Sequence, residues 1–570
     1  ADTIVLLPTR RAARVLGQEL LTISGKSALL LPAIRTLGDL DPDEAALADL
    51  SDTLALPPAI NPMQRRLELA SLVRARGKAS GEWSDDPVAA LNAADALCEL
   101  LDSAALAGDT VDWSRLPDLV AETDLAQHWQ QSVAFLSIIT ENWPARLAEL
   151  GQTDPGTRQR AALVGIADRW AEKPPQAPVF IAGSTGTVPA TRALMAVVAH
   201  LERGSVILPG LDKKLPDSAW AQAAKDDQHP QRSMALVLKA CGITDRGAVE
   251  VMPGIKETSQ GRLRLGLLND ALTPAEATGD WHQRIQELRG RHHAPGDAVE
   301  ISLAGLSLAE AATEEEEASA IALKLRHTLE IPHATAALVT PDSDLAARVA
   351  AKLHRWGIVV DASAGRPLSA SQPGSFFSLV LAWALDPVEP VALCAMLKHP
   401  LCALRLPAST KRELAALLET KVLRTSRAYR SLDDVVAITL LEKRERISWP
   451  SVDKQHATSD LMRRIEAASV DLFAAFAQPL TLGELARSLT CAAESLATEA
   501  SGTSALWAGE AGNSAAVFLD EVVTHGDVFG LQTPSNAVRL FKALMEGRVV
   551  RPRGSHPRLA ILGPLEARLL

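Results

Sequence analysis

In the first and middle parts of this chain, short apolar runs alternate with segments whose apolar residues have the spacing of a helix. Residues 3–7 are apolar, and the apolar positions across 10–20 are three and four residues apart, which predicts a strand followed by a helix. The same pattern returns at 178–182 and 189–198, and a further apolar run follows at 205–208. A strand–helix–strand order predicts a parallel sheet, whose functional residues lie after the carboxyl ends of its strands.

A second α/β region begins near Val299. Residues 314–329 have the spacing of an amphipathic helix, 336–339 form an apolar run, and 358–360 predict the next strand. One more short strand is predicted at 559–562. These elements predict a second parallel sheet built from segments far apart in the chain.

Two long stretches lack the period-two alternation of a half-buried strand. Residues 40–160 are rich in Ala and Leu and are broken by prolines, and residues 375–545 have helical spacing. We therefore predict an α/β fold of two parallel-sheet lobes, each interrupted by a mostly α-helical insertion. The predicted lobes are 1–40 with 160–298 and 299–395 with 546–570, and the predicted insertions are 41–159 and 396–545.

The composition is that of a globular protein of several domains. The chain has 570 residues, of which 47% are hydrophobic and 22% charged, a length that predicts about three or four domains. Its longest strongly apolar stretches, such as 376–385, are well short of the roughly 20 residues that span a bilayer. Because no signal-type segment precedes the first predicted strand, we expect a cytoplasmic protein without a membrane-spanning helix.

Five cysteines are scattered through the chain without a C-x-x-C pair. That spacing argues against a disulfide framework and against a complete zinc or iron–sulfur site, so no cofactor is expected in this chain. The net charge of −11 is unfavourable for binding phosphate groups over the whole surface. Basic residues confined to one channel of an acidic protein would still bind a nucleic acid.

The turn after the first predicted strand combines a hydroxyl with three arginines. Thr9 precedes the predicted helix, and Arg10, Arg11 and Arg14 occupy its first turns. A helix start offers N–H groups and a favourable dipole to phosphate, which makes this turn our candidate for binding a DNA backbone. The alternative is a solvated helix face, the usual role of a few charged residues on a helix.

No G-x-x-x-x-G-K-[ST] phosphate loop occurs in the sequence. The nearest segment, 183–186, lacks the lysine that would bind phosphates and is more typical of a tight strand-to-helix turn. The strand before it ends at Ala182 and Gly183, where an ATPase would have acidic residues that hold Mg²⁺. An ancestral ATPase site at this position would have lost its metal-binding carboxylates.

A basic segment precedes the last predicted strand. Arg548, Arg551, Arg553 and Arg558 lie within residues 548–558, which contain no acid. Such a segment is suited to following a chain of phosphates. It is equally typical of a flexible, solvated connector, and we give the two interpretations equal weight.

Taken together, these segments resemble the AddB family in the form found in alphaproteobacteria, one subunit of a helicase–nuclease that processes DNA double-strand breaks. The resemblance extends nearly from end to end of the chain. The matching segments are VLLPTRRAARVL (5–16), LLPAIRTLGDLD (30–41), AQHWQQSVAFL (126–136), FIAGSTGTVPATRALM (180–195), SVILPGLD (205–212), LKHPL (397–401) and HPRLAILGPLEARL (556–569).

The resemblance implies two RecA-like lobes similar to those of superfamily 1 helicases, and it implies the positions of their motifs. Residues 8–13 correspond to motif Ia, which contacts single-stranded DNA. Ala182 and Gly183 correspond to a degenerate Walker B position. The residues that correspond to motifs IV and V, or that line the same groove, are Thr340, Arg366, Glu566 and Arg568.

The resemblance also implies partners and cofactors. An AddA-like subunit would form a heterodimer with this chain and supply translocation. This chain would bind DNA ends and single-stranded DNA and scan for a hotspot sequence. ATP, Mg²⁺ and an iron–sulfur cluster would belong to the full-length protein or the complex. Any Walker A segment would lie before Ala1 and, in this branch of the family, is expected to be degenerate, and the nuclease domain with the cluster cysteines is expected after Leu570. No catalytic residue is assigned in this chain.

Two other functions stay open at this point. One is an ATP-hydrolysing superfamily 1 helicase whose phosphate loop lies before residue 1. The other is a scaffold that binds only proteins and never contacts DNA. DNA-stimulated ATP turnover tests the first alternative, and salt-dependent binding of a single-stranded oligonucleotide tests the second.

Overall fold

The computed structural model describes residues 3–38, 56–80, 86–108, 132–133, 135–254, 258–290, 295–363, 365–424, 429–440, 449–551, 556–564 and 566–569. The fold is mixed α/β, with helices predominating and with the parallel sheets that the sequence predicts. None of the described helices is both long enough and apolar enough to cross a membrane.

The first sheet joins strands from two distant parts of the chain. Its strands are β1 (Ile4–Leu7), β2 (Ala33–Thr36), β3 (Val179–Ala182) and β4 (Gly204–Ile207). Their order is β2-β1-β3-β4, and all these pairings are parallel. Because parallel strands end at the same edge, the residues after β1, β3 and β4 lie side by side. The parallel arrangement predicted for this region is confirmed.

The helices of the first half of the chain lie between and after the strands of this sheet in sequence. Their bounds are α1 (Arg10–Ser24), α2 (Pro62–Ser80), α3 (Pro87–Ala107), α4 (Trp143–Leu150), α5 (Pro155–Glu172), α6 (Pro189–His200), α7 (Asp217–Ala223), α8 (Arg232–Ala240), α9 (Ser259–Ala271), α10 (Trp281–Gly290) and α11 (Ala298–Leu303). Helices α2 to α4 and the start of α5 come from the segment 41–159, of which residues 41–55, 81–85, 109–131 and 134 lie outside the described part.

The second sheet also joins distant segments. It contains β5 (Ala336–Val339), β6 (Asp361–Ala362) and β9 (Leu559–Leu562), in the order β5-β9-β6, with parallel pairing. A separate antiparallel pair is formed by β7 (Arg366–Pro367) and β8 (Val549–Val550). The last strand of the chain therefore lies at the centre of the second sheet, between strands that precede it by about 200 residues.

The strand predicted at 358–360 is wrong in its position. Gly357, at a φ of +72°, ends the preceding helix, and the N–H of Ile358 bonds back to the carbonyl of Leu353. The chain is therefore still leaving the helix at Ile358. Pairing with β9 begins only at Asp361, which lies opposite Ala560.

The helices of the second half are longer and more numerous than its strands. Their bounds are α12 (Glu314–Thr328), α13 (Ser343–His354), α14 (Gln372–Leu385), α15 (Pro390–Lys398), α16 (Ala408–Leu418), α17 (Leu432–Thr439), α18 (Val452–Phe476), α19 (Leu482–Ala497), α20 (Gly509–His525) and α21 (Pro534–Glu546). A 3₁₀ turn, Glu566–Leu569, follows β9.

The two helical segments share one hydrophobic core. Leu67 and Leu91, from α2 and α3, belong to the same buried cluster as Phe376 of α14 and Phe541 of α21. The rings of Phe518 and Phe541 pack edge to face, with their centroids 5.2 Å apart. The sheets have separate, smaller cores. The segments treated as two insertions in the sequence thus pack as a single helical body, which also includes α14.

A buried ion pair fixes the first helical segment. Arg65 Nη2 lies 2.7 Å from Asp154 Oδ1, and both side chains are nearly inaccessible. The indole Nε1 of Trp143 donates to Asp154 Oδ2 at 2.8 Å. Burial raises the pKa of Asp154, and the charge of Arg65 opposes that shift. The pair joins α2, α4 and the start of α5.

Candidate nucleic-acid interface

The turn between β1 and α1 carries the arginines singled out by the sequence. Thr9 is the N-cap of α1, and its Oγ1 accepts a hydrogen bond from the N–H of Ala12 at 3.1 Å. The side chains of Arg10 and Arg14 are exposed, and that of Arg11 is half-buried. Thr9 therefore orients the start of the helix, and the arginines carry the charge of the turn.

Arg11 connects this turn to the second sheet. Its Nη2 lies 3.3 Å from Oδ2 of Asp361, the first residue of β6, and about a quarter of each side chain is exposed. Arg11 is on the helix that follows β1 of the first sheet, Asp361 is in the second sheet, and the two sheets have different cores. The carboxyl edge of β1 therefore faces the second sheet across this ion pair.

Residues after the three strands of the second sheet lie close together. The N–H of Thr340, after β5, bonds to the carbonyl of Leu562 in β9 at 3.0 Å. The N–H of Gly563, after β9, donates to Oγ of Ser363, after β6, at 3.0 Å. A Cβ on Gly563 would lie only 2.6 Å from Oε2 of Glu566, so that carboxylate is at the same edge.

Two arginines of the second half adjoin this edge. The Nε of Arg551 donates to the carbonyl of Ser363 at 3.1 Å. Arg366, in β7, lies opposite Val550 and donates to the carbonyl of Ala370 at 3.1 Å. Both arginines are exposed. Arg551 therefore lies beside the loop after β6, and Arg366 lies in the strand that follows that loop.

Two arginines proposed as phosphate contacts have structural partners instead. The guanidinium of Arg558 donates to the carbonyls of Leu329, Ile331 and Ala334, which precede β5. This places Arg558 at the amino edge of the second sheet, away from Ser363. Arg548 forms an ion pair with Glu521 of α20, at 3.0 Å.

The remaining candidates of the basic segment and the last turn are only partly described. Arg553 lies outside the described residues, as does the side chain of Arg568, whose backbone belongs to the turn after β9. Thr340 is described, and its Oγ1 accepts a hydrogen bond from the N–H of Asp342 at 3.0 Å. Like Thr9, Thr340 thus shapes the turn that follows its strand.

The Walker B-like position lies in the first sheet. Ala182 ends β3, and the N–H of Gly183 bonds to the carbonyl of Ile207 at 3.1 Å. The loop that follows is closed from within, since Nη1 of Arg192 donates to the carbonyl of Gly186 at 2.8 Å. Burial, and then the charge of Arg232, lowers the pKa of Arg192. This loop has the contacts of a packed strand-to-helix turn.

The described residues do not fit a nucleotide-bound Mg²⁺ ion. Ala182 and Gly183 offer no carboxylate after β3. The next acid along this edge, Asp212 after β4, uses its Oδ1 to accept the N–H groups of Lys214 and Leu215 at 2.8 and 2.9 Å. Among the residues with described positions, no group of three or more His, Cys, Asp or Glu side chains is placed to hold a metal ion.

Among the described residues, the cysteines do not gather into a group of metal-ligating side chains. Burial raises the pKa values of the Cys98 and Cys402 thiols to about 11. Cys241 is buried in the core of the first sheet, and Cys491 is exposed on α19.

No protein-family model matches the chain, and no curated protein matches it. The chemistry of the interface therefore follows from the groups that the fold brings together. These are the guanidinium groups of Arg10, Arg11 and Arg551, and the carboxylates of Asp361 and Glu566. The guanidinium groups can bind phosphate through paired N–H donors. The two carboxylates would oppose that binding.

Asp361 and Ser363 are the residues of this interface that sequence reasoning missed. Both follow the apolar run at 358–360, so they stand where the residues after a predicted strand would be sought. Their partners, Arg11 and Gly563, are distant in sequence and give no local pattern.

Proposed function

We propose that this chain is the helicase-like part of an AddB-like subunit, with two RecA-like lobes that bind single-stranded DNA during double-strand break repair in the cytoplasm. The observation that carries the proposal is the contact between Arg11 and Asp361. It brings the arginine-bearing carboxyl edge of one parallel sheet against the other sheet. Ligands of open α/β sheets bind outside the carboxyl ends of the strands.

The arginines on both sides of that contact favour a phosphate backbone as the ligand. Arg10, Arg11 and Arg14 lie on α1, and Arg366 and Arg551 lie beside the loop after β6. Contacts of this kind bind any sequence and lose affinity as salt rises, because bound phosphates release counterions. Reading a hotspot sequence would require further contacts to bases.

The same proposal assigns no ATP hydrolysis to this chain. The strand end at Ala182 and Gly183 lacks the acids that hold Mg²⁺ and orient water in an active ATPase. Translocation would then come from an AddA-like partner in a heterodimer. DNA-stimulated ATP turnover is the direct test, and robust turnover by this chain, extended upstream where needed and without its partner, would overturn this part of the proposal.

Binding of a labelled single-stranded oligonucleotide at several salt concentrations tests the interface. We expect the double variant Arg10→Ala, Arg11→Ala to bind more weakly. Its slope of log affinity against log salt should be shallower by about 1.4, since each lost phosphate contact on a single strand contributes about 0.7. The matched control removes two exposed arginines of the helical body, Arg412→Ala with Arg463→Ala, and should keep both affinity and slope.

Two results would contradict the proposal. An unchanged slope in the Arg10, Arg11 double variant would show that these residues do not contact phosphate. An unmodified chain that binds no single-stranded DNA at low salt would favour a scaffold that contacts only proteins.

A further inference from the structure

Asp361 places a negative charge among the arginines of the candidate interface. Its carboxylate lies 3.3 Å from Arg11 Nη2, and Arg551 bonds to the backbone of Ser363, two residues further along. A phosphate entering this site would be repelled by the carboxylate and would compete with it for Arg11. The DNA-free structure therefore keeps Arg11 occupied.

The contact has the character of a pair that a phosphate can break. About a quarter of each side chain is exposed, so water screens the attraction. The closest approach of the two groups is 3.3 Å, between Arg11 Nη2 and Asp361 Oδ2, which is longer than the about 2.7–2.9 Å of a strong charge-assisted hydrogen bond. A phosphate offers a guanidinium group two oxygens in the geometry that Arg binds best.

The pair also joins the two sheets. Arg11 is the second residue of α1, which follows β1 after two residues, and Asp361 is the first residue of β6. Breaking the pair removes one link between the first and second sheet. Displacement of Asp361 by DNA would therefore loosen the two sheets relative to each other at the site where the strand enters.

Building on the function proposed above, we infer that Asp361 is an autoinhibitory residue: it occupies Arg11 in the DNA-free chain and is displaced by a phosphate of the bound strand. Arg11 is the residue that contacts DNA. Asp361 acts through Arg11 and raises the concentration of DNA strand that is needed to occupy the site.

The test measures the affinity of the chain for a fluorescent oligothymidine over a range of salt concentrations. Asp361→Asn keeps the shape of the side chain and removes its charge. We expect it to bind about two- to fivefold more tightly, the range that corresponds to a partly exposed ion pair. Its salt slope should be steeper, because Arg11 then pairs with phosphate alone. Asp361→Glu retains the charge and should bind as the unmodified chain does.

A matched control breaks a different Arg–Asp pair of similar burial. Asp270→Asn releases Arg284, whose Nη1 lies 2.6 Å from Asp270 Oδ1; Asp270 is on α9 and Arg284 on α10. Its affinity and salt slope should not change. The double variant Arg11→Ala, Asp361→Asn separates the two effects of the carboxylate. Competition for Arg11 is absent there, so the gain over Arg11→Ala reflects repulsion alone and should be smaller than the gain of Asp361→Asn over the unmodified chain.

The outcomes separate this inference from the function on which it rests. If the chain binds the oligonucleotide and Arg11→Ala weakens binding, but Asp361→Asn binds no more tightly, the autoinhibitory role is wrong and the DNA interface stands. If neither the chain nor Asp361→Asn binds, both are wrong. Melting temperatures verify folding, and Asp361→Ser replaces Asp361→Asn in the comparison should the latter not fold.

Discussion

The backbone N–H of Gly563 donates to Oγ of Ser363 at 3.0 Å, which ties the loop after β9 to the loop after β6. The two residues are 200 positions apart in the chain. Ser363 also accepts, through its carbonyl, the hydrogen bond from Arg551. One residue thus holds two loops and one arginine of the candidate interface in place.

Replacing Ser363 by Ala should loosen the loop after β9. The N–H of Gly563 would lose its acceptor, at a cost of about 1 kcal/mol, which corresponds to about fivefold faster opening. Amide hydrogen exchange of the peptide that covers 556–569 measures this change. Ser363→Thr retains the hydroxyl and should keep the slow exchange; equal rates in Ser363→Ala and the unmodified chain would contradict the role of this bond.

Arg558 should contribute to the stability of the folded chain and should not contribute to DNA binding. Its guanidinium donates to three carbonyls before β5, so Arg558→Ala leaves those acceptors unpaired and should lower the free energy of unfolding by about 2–3 kcal/mol. Denaturant unfolding measures that loss. The salt slope of oligonucleotide binding should stay the same, and a shallower slope with unchanged stability would assign Arg558 to the interface after all.

Two glycines with the same backbone conformation should differ in their tolerance of a side chain. Gly186 and Gly210 have φ values of +64° and +69°. A Cβ at Gly186 would lie 2.2 Å from Cγ2 of Val237, whereas one at Gly210 has no atom within 4 Å. We expect Gly210→Ala to cost about 1–2 kcal/mol from backbone strain, and Gly186→Ala about 2–4 kcal/mol because overpacking is added.

Urea unfolding of both glycine variants provides the comparison. The further change Val237→Ala in the Gly186→Ala background should recover part of the loss, since it removes the clashing methyl group. Equal losses at the two positions would mean that the turn after β3 is less tightly packed than the contacts of Gly186 indicate.

His399 should make the folded state less stable in mild acid. Burial, and then the charge of Lys411, lowers the pKa of His399 below 6.5. The unfolded chain therefore binds this proton at a higher pH than the folded chain does. Neutral His399 makes its full contribution to the free energy of unfolding above about pH 6.5. This contribution declines as the pH falls toward the lowered pKa, by at most about 1.4 kcal/mol per pH unit.

Unfolding free energies measured from pH 7.5 to 5 test this dependence. The Nδ1 of His399 accepts the N–H of Leu401, so its Nε2 carries the proton and donates to Ser375 Oγ. His399→Gln should flatten the pH profile, and His282→Gln, at an exposed position, is the matched substitution that should not. Identical profiles for His399→Gln and the unmodified chain would show that another group dominates in this range.

The elements that sequence reasoning located are those whose cause is local. The apolar run 3–7 and the spacing that follows it predict β1 and α1, because alternation and helical periodicity are properties of neighbouring residues. The helix cap formed by Thr9 also has a local cause, since its hydrogen-bond partner is three residues away. The misplaced strand at 358–360 shows the limit: whether a short apolar run pairs depends on where the helix before it ends.

The candidate site was predictable only in part, for a related reason. Arg11 and Arg558 look alike in the sequence, each beside an apolar strand segment. Arg11 meets Asp361, whereas Arg558 meets three carbonyls more than 220 residues away. A guanidinium group binds whichever acceptor the fold presents, so its role cannot be derived from its neighbours in sequence.

The sequence by itself determined the alternation of strands and helices, the parallel character of the sheets, and the lack of a lysine-bearing phosphate loop in these residues, because periodicity and residue chemistry suffice for each. Only the tertiary structure decided that the two helical segments share one core and that Asp361 neutralises Arg11. Both depend on contacts between residues hundreds of positions apart, which form when burial of apolar surface brings distant segments together.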